Sequence, residues 1–358
     1  MGNTLLRATA FFAALAFGCS ADAPPAGPTG ASGGDRTVIG RDEYTPSSTT
    51  TPAASSTGPS TVVERDASVP DATPKPSPTT AKECFQALEG AIVGPNYDKF
   101  APVMGKNCAG TKHQAIAGVE RLVFLGDSVT TGTPPTMPWE YYRARVEASV
   151  KAKFGSAVAV SDCSKWGARN DDFLEGGKQI EKCFPTGVEA KKTLVVMTMG
   201  GNDIHAWMKD KLSAVDALKA ADDSAAKLRD AVTWLKSPTH FPNGSFVVFA
   251  NVYEYTDTSG DLLSCPQAAL DGTSGTWTEG TAAVVHLQEE YMRIAVDTKS
   301  DIVFLLESFC GHGYRRNDAT LQCYRGANAE LWFDLTCIHP TPKGHEVIAK
   351  LFSDVIAP

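Results

Sequence analysis

The sequence from residue 121 onward predicts an α/β fold, a three-layer α/β/α sandwich around a mostly parallel five-stranded sheet. Short apolar runs alternate along the chain with longer amphipathic segments, the pattern of strands joined by crossover helices. The apolar runs are continuous, as expected for strands that helices cover on both faces. Ligands of such sheets bind where the strands have their carboxyl ends, so residues just after the strands are the first candidates for function.

Five apolar runs supply the predicted strands, and each is rich in Val, Leu, Ile or Phe. They span residues 121–128, 156–164, 192–203, 245–255 and 301–308. Ser128, the segment 163–167 and the segment 200–203 all fall at or just after strand ends, so the fold predicts that they lie close together.

The predicted helices lie between these runs and after the last one, at residues 139–154, 171–184, roughly 205–236, 281–299 and 341–356. The last of them has a clear start, because Thr341 is a capping residue and Pro342 suits the first turn. The segments 258–280 and 309–333 contain Gly and Cys and are predicted to be surface excursions around the same edge of the sheet.

Residues 1–19 have the pattern of a secretory signal, with Arg7 before a short apolar stretch that ends in small residues. The ending "LAFGC" resembles a bacterial lipoprotein signal, which implies that Cys19 is lipidated and becomes the mature N-terminus. Phe17 is bulky for such a signal, so ordinary signal cleavage remains an alternative. Either interpretation predicts an exported protein of the cell envelope or the medium.

Residues 20–80 are rich in Pro, Ser and Thr and nearly free of aromatic residues, which predicts a disordered linker. Residues 81–358 then form the folded domain, with an N-terminal extension over residues 81–120. The net charge is -8, and acidic and basic residues are mixed along the folded part. This distribution argues against a nucleic-acid-binding surface.

Eight cysteines remain when Cys19 is set aside, and an even number behind a secretory signal implies disulfides. No C-x-x-C pair is present, which argues against zinc and thioredoxin-like sites. Many pairings are possible, and our hypothesis joins cysteines that are neighbours along the chain. It pairs Cys84 with Cys108, Cys163 with Cys183, Cys310 with Cys323, and Cys265 with Cys337.

Catalytic chemistry is suggested first by "GDSVTTG", where a buried strand ends in a turn that exposes Ser128. A serine hydroxyl becomes a nucleophile only when a base takes its proton and donors stabilise the oxyanion. His339 is the candidate base, because it lies in "DLTCIHPTPKGH", a loop stiffened by prolines directly before the last helix. The other six histidines have no special context.

Three groups are candidate oxyanion donors: the Ser128 N–H, the Gly167 N–H in "WGARND", and the Asn202 side-chain amide in "MGGND". Each follows a different predicted strand. Asp203 is expected to hold its turn rather than react.

These four blocks, in their order along the chain, resemble those of the SGNH (GDSL-type) hydrolases, a family of esterases and lipases, over residues 121 to 352. The resemblance implies a flavodoxin-like SGNH hydrolase fold, the nucleophile Ser128, the base His339, and oxyanion donors at Ser128, Gly167 and Asn202. It implies no metal and no organic cofactor.

The sequence departs from the family at one position, because an aspartate usually stands three residues before the histidine and this chain has Thr336 there. Either Asp334 reaches the imidazole from a bulged loop, or the Thr336 main-chain carbonyl orients the ring. We favour Asp334.

The sequence therefore predicts an exported serine esterase or lipase that acts on a small-molecule, lipid or polysaccharide ester. An acetyl-polysaccharide esterase and a phospholipase are alternatives within the same chemistry. A catalytically silent lipoprotein that binds a glycan or lipid on this fold is the alternative from another class. We expect a monomer, tethered to a membrane if Cys19 is lipidated.

Overall fold

The computed structural model describes residues 77–85, 94–271 and 273–358, and these ranges contain the predicted five-stranded sheet. All four strand pairings are parallel and the strand order is β2-β1-β3-β4-β5, which confirms the predicted fold class. The strands are β1 (Arg121–Gly126), β2 (Ala159–Asp162), β3 (Thr193–Thr198), β4 (Ser245–Ala250) and β5 (Asp301–Val303).

The order of the strands places β1 where the chain changes direction across the sheet, since β2 pairs on one side of it and β3 on the other. Such a switch point opens a crevice beyond the carboxyl ends of the strands, and ligands of doubly wound sheets bind there. Ser128 follows β1 after a single intervening residue. The topology therefore puts this serine at the expected binding position.

Helices cover both faces of the sheet. They are α1 (Ala81–Cys84), α2 (Ser128–Thr131), α3 (Tyr142–Phe154), α4 (Gln179–Cys183), α5 (Gly201–Lys209), α6 (Ala214–Lys236), α7 (Thr281–Thr298), α8 (Leu305–Phe309) and α9 (Pro342–Ile356). Short 3₁₀ turns lie at Tyr97–Phe100, Lys106–Cys108, Asn170–Phe173, Leu262–Ser264, Ala268–Asp271 and Thr278–Gly280.

The sheet separates two apolar cores because successive side chains of a strand point to opposite faces. Along β1, Val123 and Leu125 belong to the core that α6 and α7 cover. Leu122 and Phe124 belong to the core that α3 and α9 cover. All four side chains are at most 1 % exposed, which explains the continuous apolar run in the sequence.

Two predicted helices were wrong in extent. The segment 171–184 forms only the 3₁₀ turn Asn170–Phe173 and the short helix α4, with Gly176 and Gly177 in the loop between them. The long helix predicted over 205–236 is two helices, α5 and α6. They are separated at Lys211, which has φ 49°, and Ser213 caps α6 by accepting a hydrogen bond from the Asp216 N–H.

The fifth predicted strand is also shorter than its apolar run, because residues 305–309 turn into α8. The N-terminal extension supports this edge of the sheet. Gly110 forms an antiparallel bridge with Val303, and the Thr111 N–H donates to the Ile302 carbonyl at 2.9 Å. The extension thereby covers backbone groups that an edge strand would otherwise leave open.

The four disulfides of the hypothesis are present: Cys84–Cys108, Cys163–Cys183, Cys265–Cys337 and Cys310–Cys323. The signal, Cys19 and the linker up to residue 76 lie outside the described residues and stay predictions. Within the described ranges, no helix is long and apolar enough to span a bilayer.

Candidate active site

Ser128 is presented by a tight turn between β1 and α2. Gly126 has φ 140°, and a Cβ atom there would lie 2.4 Å from the Thr198 carbonyl oxygen, so only glycine fits. Asp127 caps α2, because its side chain accepts a hydrogen bond from the Val129 N–H at 3.0 Å. Ser128 is then the first residue of the helix, and its N–H has no partner within the helix.

The turn is held against the rest of the sheet by side chains that were not singled out in the sequence. The Thr198 hydroxyl donates to Asp127 Oδ1 at 2.9 Å, and burial raises the pKa of Asp127 to about 6. The Gln179 amide bonds both main-chain groups of Gly126, accepting from its N–H at 2.8 Å and donating to its carbonyl at 2.9 Å. Both the N–H and the carbonyl of Gly126, two residues before Ser128, are therefore hydrogen-bonded.

His339 lies in a loop that returns to the same edge of the sheet. Phe333 and Pro340 form an antiparallel bridge at its base, and inside that bridge the Asp334 N–H donates to the His339 carbonyl at 2.9 Å. The disulfide from Cys337 to Cys265 attaches the loop to the segment 258–280. These contacts fix the backbone of the loop that carries His339.

The structure brings the two predicted reacting groups together. His339 Nε2 lies 2.9 Å from Ser128 Oγ, within hydrogen-bond distance, although 211 residues separate them. The Ser128 side chain is largely buried, with 8 % exposure. Burial lowers the pKa of His339 from its ordinary value, and the negative charge of Asp334 opposes this in part. The neutral imidazole, the form that accepts a proton, is thereby favoured near neutral pH.

The other ring nitrogen of His339 faces a group that the sequence had not indicated. The Thr336 hydroxyl oxygen lies 2.7 Å from Nδ1 and 2.5 Å from Asp334 Oδ1. Asp334 therefore reaches the imidazole through the Thr336 side chain. The sequence predicts instead a direct contact of the ring with Asp334 or with the Thr336 carbonyl. The Thr336 hydroxyl could not be predicted, because no local sequence pattern indicates the direction of a side chain in a loop.

The candidate oxyanion donors lie on loops that are bonded to one another. The Asn202 amide donates to the Ala168 carbonyl at 2.9 Å, and Asn202 also lines the cavity beside Ser128. Gly167 has φ 73°, and nothing lies within 4 Å of the place where its Cβ would be. The Trp166 indole donates to the Gly132 carbonyl at 3.0 Å, which ties this loop to the segment after α2.

Asp203 stabilises the turn that carries Asn202. Its carboxylate accepts from the Ser224 hydroxyl at 3.0 Å and from the Asn170 N–H at 3.2 Å, and it is 8 % exposed. Burial raises the pKa of Asp203 to about 6. These contacts join the start of α5 to the 3₁₀ turn Asn170–Phe173 and to α6.

A cavity of about 220 Å³ opens beside Ser128. It runs between α5 and the first two turns of α7, and the segment 258–280 contributes to its wall. Most of the lining is apolar and includes Ile204, Met208, Leu262, Trp277, Val284 and Val285. Among the described residues, no group of three or more His, Cys, Asp or Glu side chains is arranged to hold a metal ion.

Solved structures with similar chain folds include several ester hydrolases. An extracellular lipase from Streptomyces rimosus is 17 % identical, with a TM-score of 0.44 over 66 % of this chain and 100 % of its own. Phospholipase A1 from Streptomyces albidoflavus is 15 % identical, with a TM-score of 0.42 over 66 % and 99 %. The acetyl xylan esterase AlAXEase is 14 % identical, with a TM-score of 0.45 over 65 % and 97 %.

No curated protein matches the sequence. Residues 124–347 match the GDSL-like lipase/acylhydrolase family, and this range holds Ser128, Gly167, Asn202 and His339. The matched range covers more than half of the sequence. The chain therefore belongs to the GDSL-like lipase/acylhydrolase family.

Proposed function

We propose that this protein is an exported serine esterase that hydrolyses carboxylic esters through an acyl-enzyme on Ser128. The observation that carries the proposal is the distance of 2.9 Å between Ser128 Oγ and His339 Nε2. Membership of a hydrolase family supports the same chemistry. A protein that only bound a glycan or lipid would not need a serine and a neutral imidazole in contact at the mouth of an apolar cavity.

In the first half of the reaction, Ser128 Oγ attacks the ester carbonyl carbon while His339 Nε2 accepts the serine proton. The carbonyl oxygen becomes an oxyanion, for which the Ser128 N–H, the Gly167 N–H and the Asn202 amide are the proposed donors. When the C–O bond breaks, the imidazolium gives its proton to the departing alcohol.

In the second half, water attacks the acyl-enzyme and His339 accepts a proton from that water. The second tetrahedral intermediate collapses, the carboxylic acid leaves, and the proton returns to Ser128. None of these steps requires a metal or an organic cofactor.

The cavity beside Ser128 supports an acyl chain rather than an acetyl group as the acid part of the substrate. An acetyl group has one methyl carbon beyond the carbonyl and would leave most of a cavity of about 220 Å³ empty. A longer straight acyl chain would occupy this space and bury its methylenes against apolar walls.

Hydrolysis is tested with p-nitrophenyl esters and the Ser128→Ala variant. Wild-type protein should release p-nitrophenol and form a covalent adduct of the expected mass with a fluorophosphonate, and Ser128→Ala should do neither. Ser156→Ala is the matched control, because Ser156 is exposed in the turn before β2, away from the site. Wild-type protein with intact disulfides that neither hydrolyses a broad ester panel nor reacts with the fluorophosphonate would favour the binding protein.

The acyl-chain assignment is tested by comparing kcat/KM across esters with two to sixteen acyl carbons. We expect a maximum at a chain longer than acetate, and in Val285→Trp a loss of at least tenfold on the octanoate with the acetate unchanged. Val215→Trp makes the same substitution at an exposed position of α6 and should leave the profile unaltered. Best activity on the acetate, with Val285→Trp affecting all esters equally, would indicate an acetyl esterase.

Export is supported by the eight cysteines joined in four disulfides, which persist in oxidising compartments. We propose attachment to the cell envelope through a lipid on Cys19, with processing by an ordinary signal peptidase as the alternative. Fractionation of cells and the mass of the mature N-terminal peptide distinguish the two. If the wild type is held in the envelope by a lipid on Cys19, Cys19→Ala should lose that attachment. If the wild type is simply secreted, Cys19→Ala should not change its location.

A further inference from the structure

Thr336 occupies a position between the candidate base and a buried carboxylate. Its hydroxyl oxygen is 2.7 Å from His339 Nδ1 and 2.5 Å from Asp334 Oδ1, and its N–H also donates to Asp334 Oδ1 at 2.8 Å. Asp334 is 9 % exposed, whereas Thr336 lies at the surface of the loop. The side chains of Asp334, Thr336, His339 and Ser128 thus form one continuous chain of hydrogen bonds.

The protons available to these side chains determine which group donates and which accepts in each hydrogen bond. A threonine hydroxyl has one proton to donate, and an ionised carboxylate can only accept. The Thr336 proton therefore goes to Asp334 Oδ1, and the Thr336 oxygen accepts from His339 Nδ1–H. A neutral imidazole carries one proton, so Nε2 has its lone pair free for the Ser128 hydroxyl.

We propose that Thr336 is the positioning residue of this site: its hydroxyl selects the Nδ1–H tautomer of His339 and connects the imidazole to the carboxylate of Asp334. The inference rests on the proposed role of His339 as the base. It assigns to a neutral side chain the contact that an aspartate makes in most of the family. Asp334 then acts through Thr336, and Thr336 does not touch the substrate.

The loop is built to keep this arrangement in place. The Asp334 carbonyl accepts from the Cys337 N–H at 3.0 Å and from the Tyr314 hydroxyl at 2.7 Å, so its backbone is bonded from within the loop and from outside it. The Tyr253 hydroxyl donates to the Ile338 carbonyl at 2.8 Å, beside His339. These contacts fix the backbone on both sides of Thr336.

The alternative is that Asp334 and Thr336 simply form a turn, and the chain contains a matched turn for comparison. Asp318 and Thr320 have the same spacing, and the Thr320 N–H and hydroxyl donate to Asp318 Oδ1 at 3.0 and 2.6 Å. That turn is exposed. Thr320→Val therefore removes the same local hydrogen bond as Thr336→Val without touching the site.

The activity test measures kcat and KM on one p-nitrophenyl ester for the wild type and three variants. Thr336→Val should lower kcat about 100-fold or more with little change in KM, because the ring loses its preferred tautomer. Thr336→Ser keeps the hydroxyl and should retain most of the activity, and Thr320→Val should match the wild type. Equal kcat for Thr336→Val and Thr320→Val, or a Thr336→Ser variant as impaired as Thr336→Val, would overturn the proposal.

Asp334→Asn gives a second signature in the pH profile. It removes the charge that opposes the lowering of the His339 pKa, so the acid limb of kcat/KM should move to lower pH. His345 on α9, whose charge would also act on His339, stays neutral in this pH range because burial lowers its pKa to about 3. An acid limb that stays in place would count against the connection through Thr336.

A spectroscopic test does not depend on activity. Nitrogen chemical shifts of His339 should report the Nδ1–H tautomer in the wild type and in Thr336→Ser, and a mixture or the Nε2–H form in Thr336→Val. The same Nε2–H population in all three would refute the proposal even in an active enzyme. An inactive wild type with the Nδ1–H tautomer would instead refute the proposed hydrolysis.

Discussion

Removal of the Cys265–Cys337 disulfide should cost both stability and activity, because this bond closes a long loop and attaches the base-carrying loop. The bond joins residues 72 positions apart. In the chain-entropy description, closing a loop of that length removes about 4.4 kcal/mol of conformational freedom from the unfolded state at 25 °C. Cys265→Ala/Cys337→Ala should lose about that amount of folding free energy.

The double variant Cys84→Ala/Cys108→Ala is the matched control, since its disulfide spans 24 positions in the N-terminal extension. The same relation gives about 3.5 kcal/mol for this loop, so the first variant should be the less stable by about 1 kcal/mol. Urea unfolding followed by circular dichroism measures both values.

The two variants should differ more in activity than in stability. Cys337 lies between Thr336 and His339, so loss of its disulfide should loosen the imidazole and lower kcat about 100-fold, the effect of a misplacement of about 1 Å. The control should keep its kcat at temperatures where both variants are folded. Equal kcat values, or a larger stability loss in the control, would show that the reasoning about this disulfide is wrong.

Three further predictions concern protonation and the turn before the serine. With a short ester, kcat/KM should rise with pH around a midpoint below about 6.5, because burial lowers the pKa of His339 and only the neutral ring accepts a proton; a higher midpoint would contradict this. Burial lowers the pKa of His345 to about 3, so below about pH 6.5 the unfolded chain binds a proton there and the folded protein does not. Its contribution to stability therefore falls as the pH falls. The stability advantage of the wild type over His345→Asn, which keeps an acceptor for the Tyr142 N–H, should shrink by about 2 kcal/mol between pH 6.5 and 4.5 in urea titrations. Gly126→Ala should lower the free energy of unfolding by roughly 1–3 kcal/mol and remove most of the activity, because its Cβ would lie 2.4 Å from the Thr198 carbonyl oxygen. A Gly126→Ala variant with the unfolding free energy and kcat of the wild type would contradict this clash.

Much of the fold could be predicted because burial on both faces is a local property of a strand. The continuous apolar runs at β1, β3 and β4 predict strands whatever the rest of the chain does. The start of α9 could also be predicted, since Thr341 accepts from the Gly344 N–H and Pro342 opens the helix. The single helix predicted over 171–184 is wrong, because Gly176 and Gly177 interrupt it. Its apolar residues pack instead from a 3₁₀ turn and the short helix α4.

The sequence by itself determined the order of the elements, the blocks around Ser128, Gly167, Asn202 and His339, and hence the family. These depend on residue types at short spacing, which a chain carries before it folds. Tertiary structure alone decided which group meets His339 Nδ1, how large a cavity adjoins Ser128, and how the imidazole reaches a hydroxyl 211 residues away. Such contacts depend on side-chain direction and packing between distant segments, and no local pattern encodes them.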